Sequence, residues 1–152
     1  VPRYNQRDGM AMWQASGKQR YRVDTDVVYW ETHGDVTADE VNEITDVIVS
    51  LQRQRGRAYV ICDATRPSNF TPEARHAMRA RYESGTAVPA PSVVVGGGTM
   101  QRVLLPLVLR AIRLLGAKPP PVDFVASMAD AEAWLQRQRQ AHAGSQGPTA
   151  DL

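Results

Sequence analysis

The chain has 152 residues, 43% hydrophobic and 22% charged, a composition that fits one globular domain around a single core and excludes both a disordered and a membrane-embedded chain. Its 18 Lys and Arg nearly balance 16 Asp and Glu, so the net charge of +2 argues for no particular partner, although Lys18 and Lys118 are the only lysines and every other basic residue is Arg. The single cysteine, Cys62, excludes an internal disulfide and a cysteine-based zinc site and permits a reducing cytoplasm, which is the expected location.

Residues 1–18 mix Arg, Gln, Gly, Met and Trp13 with neither strand nor helix periodicity and read as a loose tail without a secretory-signal pattern. Residues 143–152, rich in Gly, Ser, Gln, Pro and Thr, read the same way, which leaves a domain over 19–142. Tyr21 to Val23 and Val27 to Thr32 are short strands around the turn sequence Asp24-Thr25-Asp26 and predict a hairpin. After His33-Gly34-Asp35, Thr37 as N-cap and Glu40 three residues on form a capping box, and Val36 with Val41 is placed for a hydrophobic staple. The helix they open runs to about Arg55 with Val41, Ile44, Ile48 and Leu51 on one face, acids at its start, Arg53 and Arg55 at its end, and Gly56 as its stop.

Tyr59 to Asp63 is a nearly continuous apolar run that suits a central strand buried on both faces. Thr71-Pro72-Glu73 gives an N-cap, a proline in the first turn and an acid, so a second helix runs to about Glu83. Ser92 to Val95 is a fourth strand, followed by Gly96-Gly97-Gly98-Thr99 and a third helix over 101–115 that contains Pro106. Val122 to Val125 is a fifth strand, and Ser127 caps a last helix with Ala131, Trp134 and Leu135 facing inward. Strands linked by helices run parallel, so the order predicts an α/β sandwich with a mixed, largely parallel sheet of about five strands and about four helices.

Enzyme templates find little support. His33, His76 and His142 are not spaced as pairs, and no nucleophile elbow or His-Glu-x-x-His motif exists, so no catalytic residue, metal or cofactor is expected. Cys62 lies mid-strand among Ile61 and Val60, where a thiol acts as a small hydrophobe. Gly97, Gly98 and Thr99 follow a strand and precede a helix, a candidate anion-binding turn, but one without the Lys of a P-loop or the spacing of a dinucleotide fingerprint. The end of the third strand is the better candidate, because in such sheets the C-terminal strand ends and the helix N-termini above them form the binding edge. Asp63, Thr65, Ser68, Thr71 and Arg75 lie along it, with Thr71 and Ser68 as candidate phosphorylation sites. The 101–115 helix carries Leu105, Leu109 and Leu114 outside its core stripe, which leaves open a homodimer, a protein partner, a peripheral membrane contact or a small apolar ligand.

Gly34-Asp35-Val36-Thr37, Val60-Ile61-Cys62-Asp63, Thr71-Pro72-Glu73-Ala74-Arg75, and Phe124-Val125 before Glu132-Ala133-Trp134-Leu135 occur in an order and spacing that resembles the STAS fold, in particular its SpoIIAA-like branch related to anti-sigma-factor antagonists. The resemblance implies a non-enzymatic regulatory module that binds a partner protein through the edge at the second helix's N-terminus. In phosphorylatable antagonists a serine there, in an Asp-Ser-Ser-Gly type sequence, is modified by a partner kinase; here the stretch reads Phe70-Thr71-Pro72-Glu73, with Thr71 and Ser68 the nearest hydroxyls. The divergent branch also resembles lipid-binding domains, which keeps an apolar ligand as the alternative. Arg66, Arg75, Arg79 and Arg81 follow Asp63, and Arg pairs bidentately with carboxylates, so an acidic protein surface is the expected partner in preference to nucleic acid.

Overall fold

The computed structural model describes residues 12–98 and 122–145. Its elements in chain order are β1 (Gln14–Ser16), β2 (Gln19–Asp24), β3 (Val27–Glu31), β4 (Gly34–Val36), α1 (Ala38–Arg55), β5 (Tyr59–Ala64), β6 (Ser68–Phe70), α2 (Pro72–Glu83), β7 (Ser92–Gly96), β8 (Val122–Val125) and α3 (Met128–Ser145). Six strands form the main sheet in the order β1-β2-β3-β5-β7-β8, and β4 and β6 form a separate parallel pair. β1, β2 and β3 are antiparallel, while β3, β5, β7 and β8 run parallel. This is the mixed, mostly parallel α/β architecture expected from the chain.

Period-two alternation sorts each strand's side chains between two cores. On one face Tyr21, Val23, Val28, Trp30 and Cys62 pack with Val36 of β4, Val41, Ile44 and Leu51 of α1 and Ala74 of α2. On the other, Val27, Tyr29, Tyr59, Ile61, Val93 and Val95 pack with Ala131, Trp134 and Leu135 of α3. Trp134 stands edge-on to Tyr59, with ring centroids 6.4 Å apart, and its indole N–H donates to Asp123 at 2.6 Å, which pins α3 to the edge strand β8. Cys62 is buried, and burial pushes its thiol up to about 12, so the thiol stays protonated at neutral pH.

The helix ends follow their local signals. Thr37 caps α1 with the complete capping box to Glu40, Gly56 ends the helix in the left-handed conformation, and the staple residues Val36 and Val41 are both fully buried. Thr71 caps α2 with Pro72 in its first turn. The Ser127 hydroxyl accepts the Asp130 N–H at 3.1 Å at the start of α3.

Two boundaries differ from the sequence reading. β1 lies within the stretch assigned to the N-terminal tail, and α3 continues to Ser145, into the stretch assigned to the C-terminal one. β1 has only three residues and no apolar alternation; pairing with β2 and the bond from the Ser16 hydroxyl to Glu43 at 2.7 Å hold it in place. The helix expected over 101–115, with the apolar-ligand and dimer readings that rest on it, lies outside the described residues, as does Thr99. Among the described residues no helix is long and apolar enough to cross a membrane.

Candidate partner-binding edge

The β4–β6 ribbon organises the edge. Gly34, Asp35 and Val36 pair in register with Ser68, Asn69 and Phe70. The ribbon's two strands run straight into the two helix caps, so the pairing of Val36 with Phe70 places Thr37 and Thr71 at adjacent register positions. The Thr71 N–H donates to the Val36 carbonyl at 3.1 Å, and Gly34 N–H to the Pro67 carbonyl at 2.8 Å. Two helix N-termini, each carrying the partial positive charge of the helix dipole, therefore open side by side.

The candidate residues divide by what their polar atoms already do. Asp63 accepts both the Thr65 N–H at 3.0 Å and the Thr65 hydroxyl at 2.6 Å, a turn that closes the end of β5. Ser68 accepts the hydroxyl of the buried Thr32 at 3.2 Å. Thr71 accepts the Ala74 N–H at 3.1 Å while remaining partly open to solvent. Arg75 is exposed one turn further along α2 and, like Arg66, makes no ion pair among the described residues. Arg79 and Arg81 are already paired, with Glu83 and Asp46, each at 2.8 Å. Arg66 and Arg75 are thus the arginines of this edge without an ion pair among the described residues, while the helix ends already carry acids in their first turns, Asp39 and Glu40 in α1 and Glu73 in α2.

Gly97 and Gly98 follow β7. Gly96 and Gly97 have φ of +76° and +77°, and a Cβ on Gly96 would lie 3.0 Å from the Thr65 Cα, so glycine suits the end of β7 where it runs this close to the backbone after β5. The Gly97 N–H donates to the Ala64 carbonyl at 3.1 Å, so this amide ties the loops together and is already engaged by protein.

One part of the site carried no signal that the sequence reading used. Gln19, 2% exposed, clamps the backbone of His33: its amide donates to the His33 carbonyl at 3.0 Å, and its oxygen accepts the His33 N–H at 2.8 Å. The clamp closes one side of a cleft of about 270 Å³ whose walls include Lys18, Arg20, Thr32, Asp63, Thr65 and Arg66. The signal was present in the alternation of β2, where Gln19 shares the buried face with Tyr21 and Val23. Among the described residues no three potential metal ligands come together.

Removal of the α2 cap gives a direct check of this geometry. Thr71→Ala is expected to lower stability by about 1 kcal/mol in urea unfolding, and Thr71→Ser to retain most of it, because only the hydroxyl oxygen is needed for the Ala74 N–H.

Comparison of the sequence with protein-family models and with curated proteins returns no match. Among solved structures, the anti-sigma factor antagonist SpoIIAA in its unphosphorylated form is similar, with a TM-score of 0.50 at 12% sequence identity over 84% of this chain and 98% of that one. The likeness extends over nearly all of SpoIIAA and shows that this chain has a STAS/SpoIIAA-like fold.

Proposed function

We propose that the chain is a non-enzymatic regulatory module that binds an acidic surface of a partner protein through the edge formed by the β4–β6 ribbon and the start of α2. The observation that carries this reading is the SpoIIAA-like fold together with Arg66 and Arg75, two exposed arginines of this edge that form no ion pair among the described residues. Such an edge attracts carboxylates through its guanidinium groups. Thr71 is the hydroxyl best placed for control by phosphate. Phosphate of charge about −2 there would sit at the positive end of α2 and cancel the attraction for an acidic partner.

The test is affinity capture on the intact chain, followed by titration of the purified partner. Arg66→Glu with Arg75→Glu is expected to weaken binding by about tenfold or more and to flatten its salt dependence, and Thr71→Glu to weaken it in the same direction. A partner whose affinity ignores all three substitutions would overturn this site.

A further inference from the structure

The second face of the sheet is covered unevenly. α3 packs over β5, β7 and β8, whereas Arg20, Arg22 and Asp24 of β2 project from that face beside it. Between them runs a groove of about 230 Å³, with Trp13, Arg22 and Tyr29 on one side and Met128 and Glu132 of α3 on the other. Of the four large apolar side chains exposed among the described residues, Trp13 (39%) and Met128 (37%) line this groove, and Met12 (82%) adjoins Trp13 in the chain. Exposed apolar groups gathered at one groove mark an interaction surface, where the same groups scattered would not.

We propose that this groove docks a basic, apolar segment of a partner protein, inserting a Lys or Arg side chain between Trp13 and Glu132. Two observations select that occupant. The aromatic walls are already stacked by this chain's own arginines, Arg22 at 3.8 Å from the Tyr29 ring centroid and 5.5 Å from that of Trp13 and Arg20 at 4.7 Å from Trp13, so an entering cation is drawn by the carboxylates. The charge left over is negative, because Asp63 and Glu132 form no ion pair among the described residues while Glu31 is held by Arg20 and Arg22 pairs with Asp24 at 3.6 Å. Glu132 is also positioned in advance, since it accepts the Tyr29 hydroxyl at 2.7 Å. An aliphatic stem would cover Trp13 and Met128 while its cationic head met Glu132, whereas an acidic or neutral segment would desolvate two carboxylates without pairing them. The groove shares Glu31 and Asp63 with the cleft beside the proposed acidic-partner edge, but it is opposite to that edge in charge preference.

The probe is a short fluorescein-labelled peptide of alternating Leu and Arg, titrated into the full chain, with a Leu–Glu peptide of equal length as control. The Arg peptide is expected to bind saturably and the Glu peptide not at all. Trp13→Leu and Glu132→Gln should each weaken binding by about tenfold, while Arg75→Glu leaves it intact, so failure here is distinguishable from failure of the other edge. Unchanged thermal unfolding of both groove variants would show that the losses are local. Equal binding of the two peptides, or Arg-peptide binding unaffected by either groove substitution, would overturn the proposal. A dimer of the chain alone that Trp13→Leu dissolves would place a second copy in the groove and overturn it as well.

Discussion

Replacement of Glu40 by alanine is expected to lower the unfolding free energy by about 3 kcal/mol, well beyond the roughly 1 kcal/mol of an ordinary capping residue. Glu40 is 6% exposed and forms no ion pair among the described residues, yet its carboxylate is held by three donors. It accepts the Thr37 N–H at 2.8 Å, closing the capping box, the Lys18 N–H at 2.9 Å and the Gln19 amide at 3.4 Å. The first of these stabilises α1; the other two fasten the β1–β2 turn to it. Gly17 is part of the same fit, with φ of +58° and no room for a Cβ beside the Glu40 carboxylate oxygen. Alanine would leave the two backbone donors without their acceptor, at about 1–3 kcal/mol for each that stays dry, offset by the desolvation cost the carboxylate no longer incurs. Glu40→Gln keeps one acceptor oxygen but turns an NH₂ toward another donor, so an intermediate loss is expected. Urea midpoints order the three proteins, and amide exchange in β1 and β2 should accelerate in the alanine variant before exchange in β5. A Glu40→Ala midpoint indistinguishable from the parent would show that the turn is held by strand pairing alone.

The same residue shows how far the sequence could be read. The capping box is local: Thr37 and Glu40 lie three residues apart, and their pattern announces the helix start without knowledge of anything else. The bonds from Lys18 and Gln19 join residues more than twenty positions away, and nothing near Glu40 encodes them. β1, β4 and β6 escaped notice for the same reason. Each has three residues, too few for a period to show, and each exists because a distant partner satisfies it, as Gly34 is satisfied by Pro67. At the candidate edge, the position of Asp63 at a strand end and of Thr71 at a cap was legible. Which groups are already engaged was not: the Thr65 hydroxyl belongs to Asp63, the Gly97 amide to Ala64, and two of the four arginines to carboxylates. Trp13, read as part of a tail, gains its place from two arginines of β2 that flank it only once the strands have paired.

Asp26→Ala is expected to cost about 3 kcal/mol and to remove part of the protein's sensitivity to acid. As a sequence element Asp26 is merely the end of the hairpin turn; in the fold it is 3% exposed and sits between two arginines. The Arg57 guanidinium donates to one carboxylate oxygen at 2.9 Å and that of Arg139 to the other. The hairpin, the link from α1 to β5 and the second half of α3 therefore meet on one buried charge. Burial pushes the Asp26 carboxyl upward, but the hydrogen bonds and charges of Arg139 and Arg57 outweigh it and hold the group below its ordinary value. A carboxyl with a depressed folded-state pKa contributes stability that is complete above the unfolded value, about 3.9, and that is lost as pH falls through the lower folded value. The parent protein should consequently weaken as pH falls below about 4 by more than Asp26→Asn does, and the two urea midpoints should converge on acidification. Removing the acid leaves both arginines without it, but they are 39% and 29% exposed and can recover water, which keeps the loss toward the low end of the range of about 3–5 kcal/mol for breaking a buried pair. Arg139→Met should cost less, because Arg57 still neutralises Asp26, while freeing the C-terminal half of α3 to faster amide exchange. If Asp26→Asn and the parent lose stability in parallel as pH falls below about 4, the carboxyl is not held ionised by its arginines, and α3 is fixed by its other contacts, Ala131, Trp134 and Leu135 in the core and Glu132 on Tyr29.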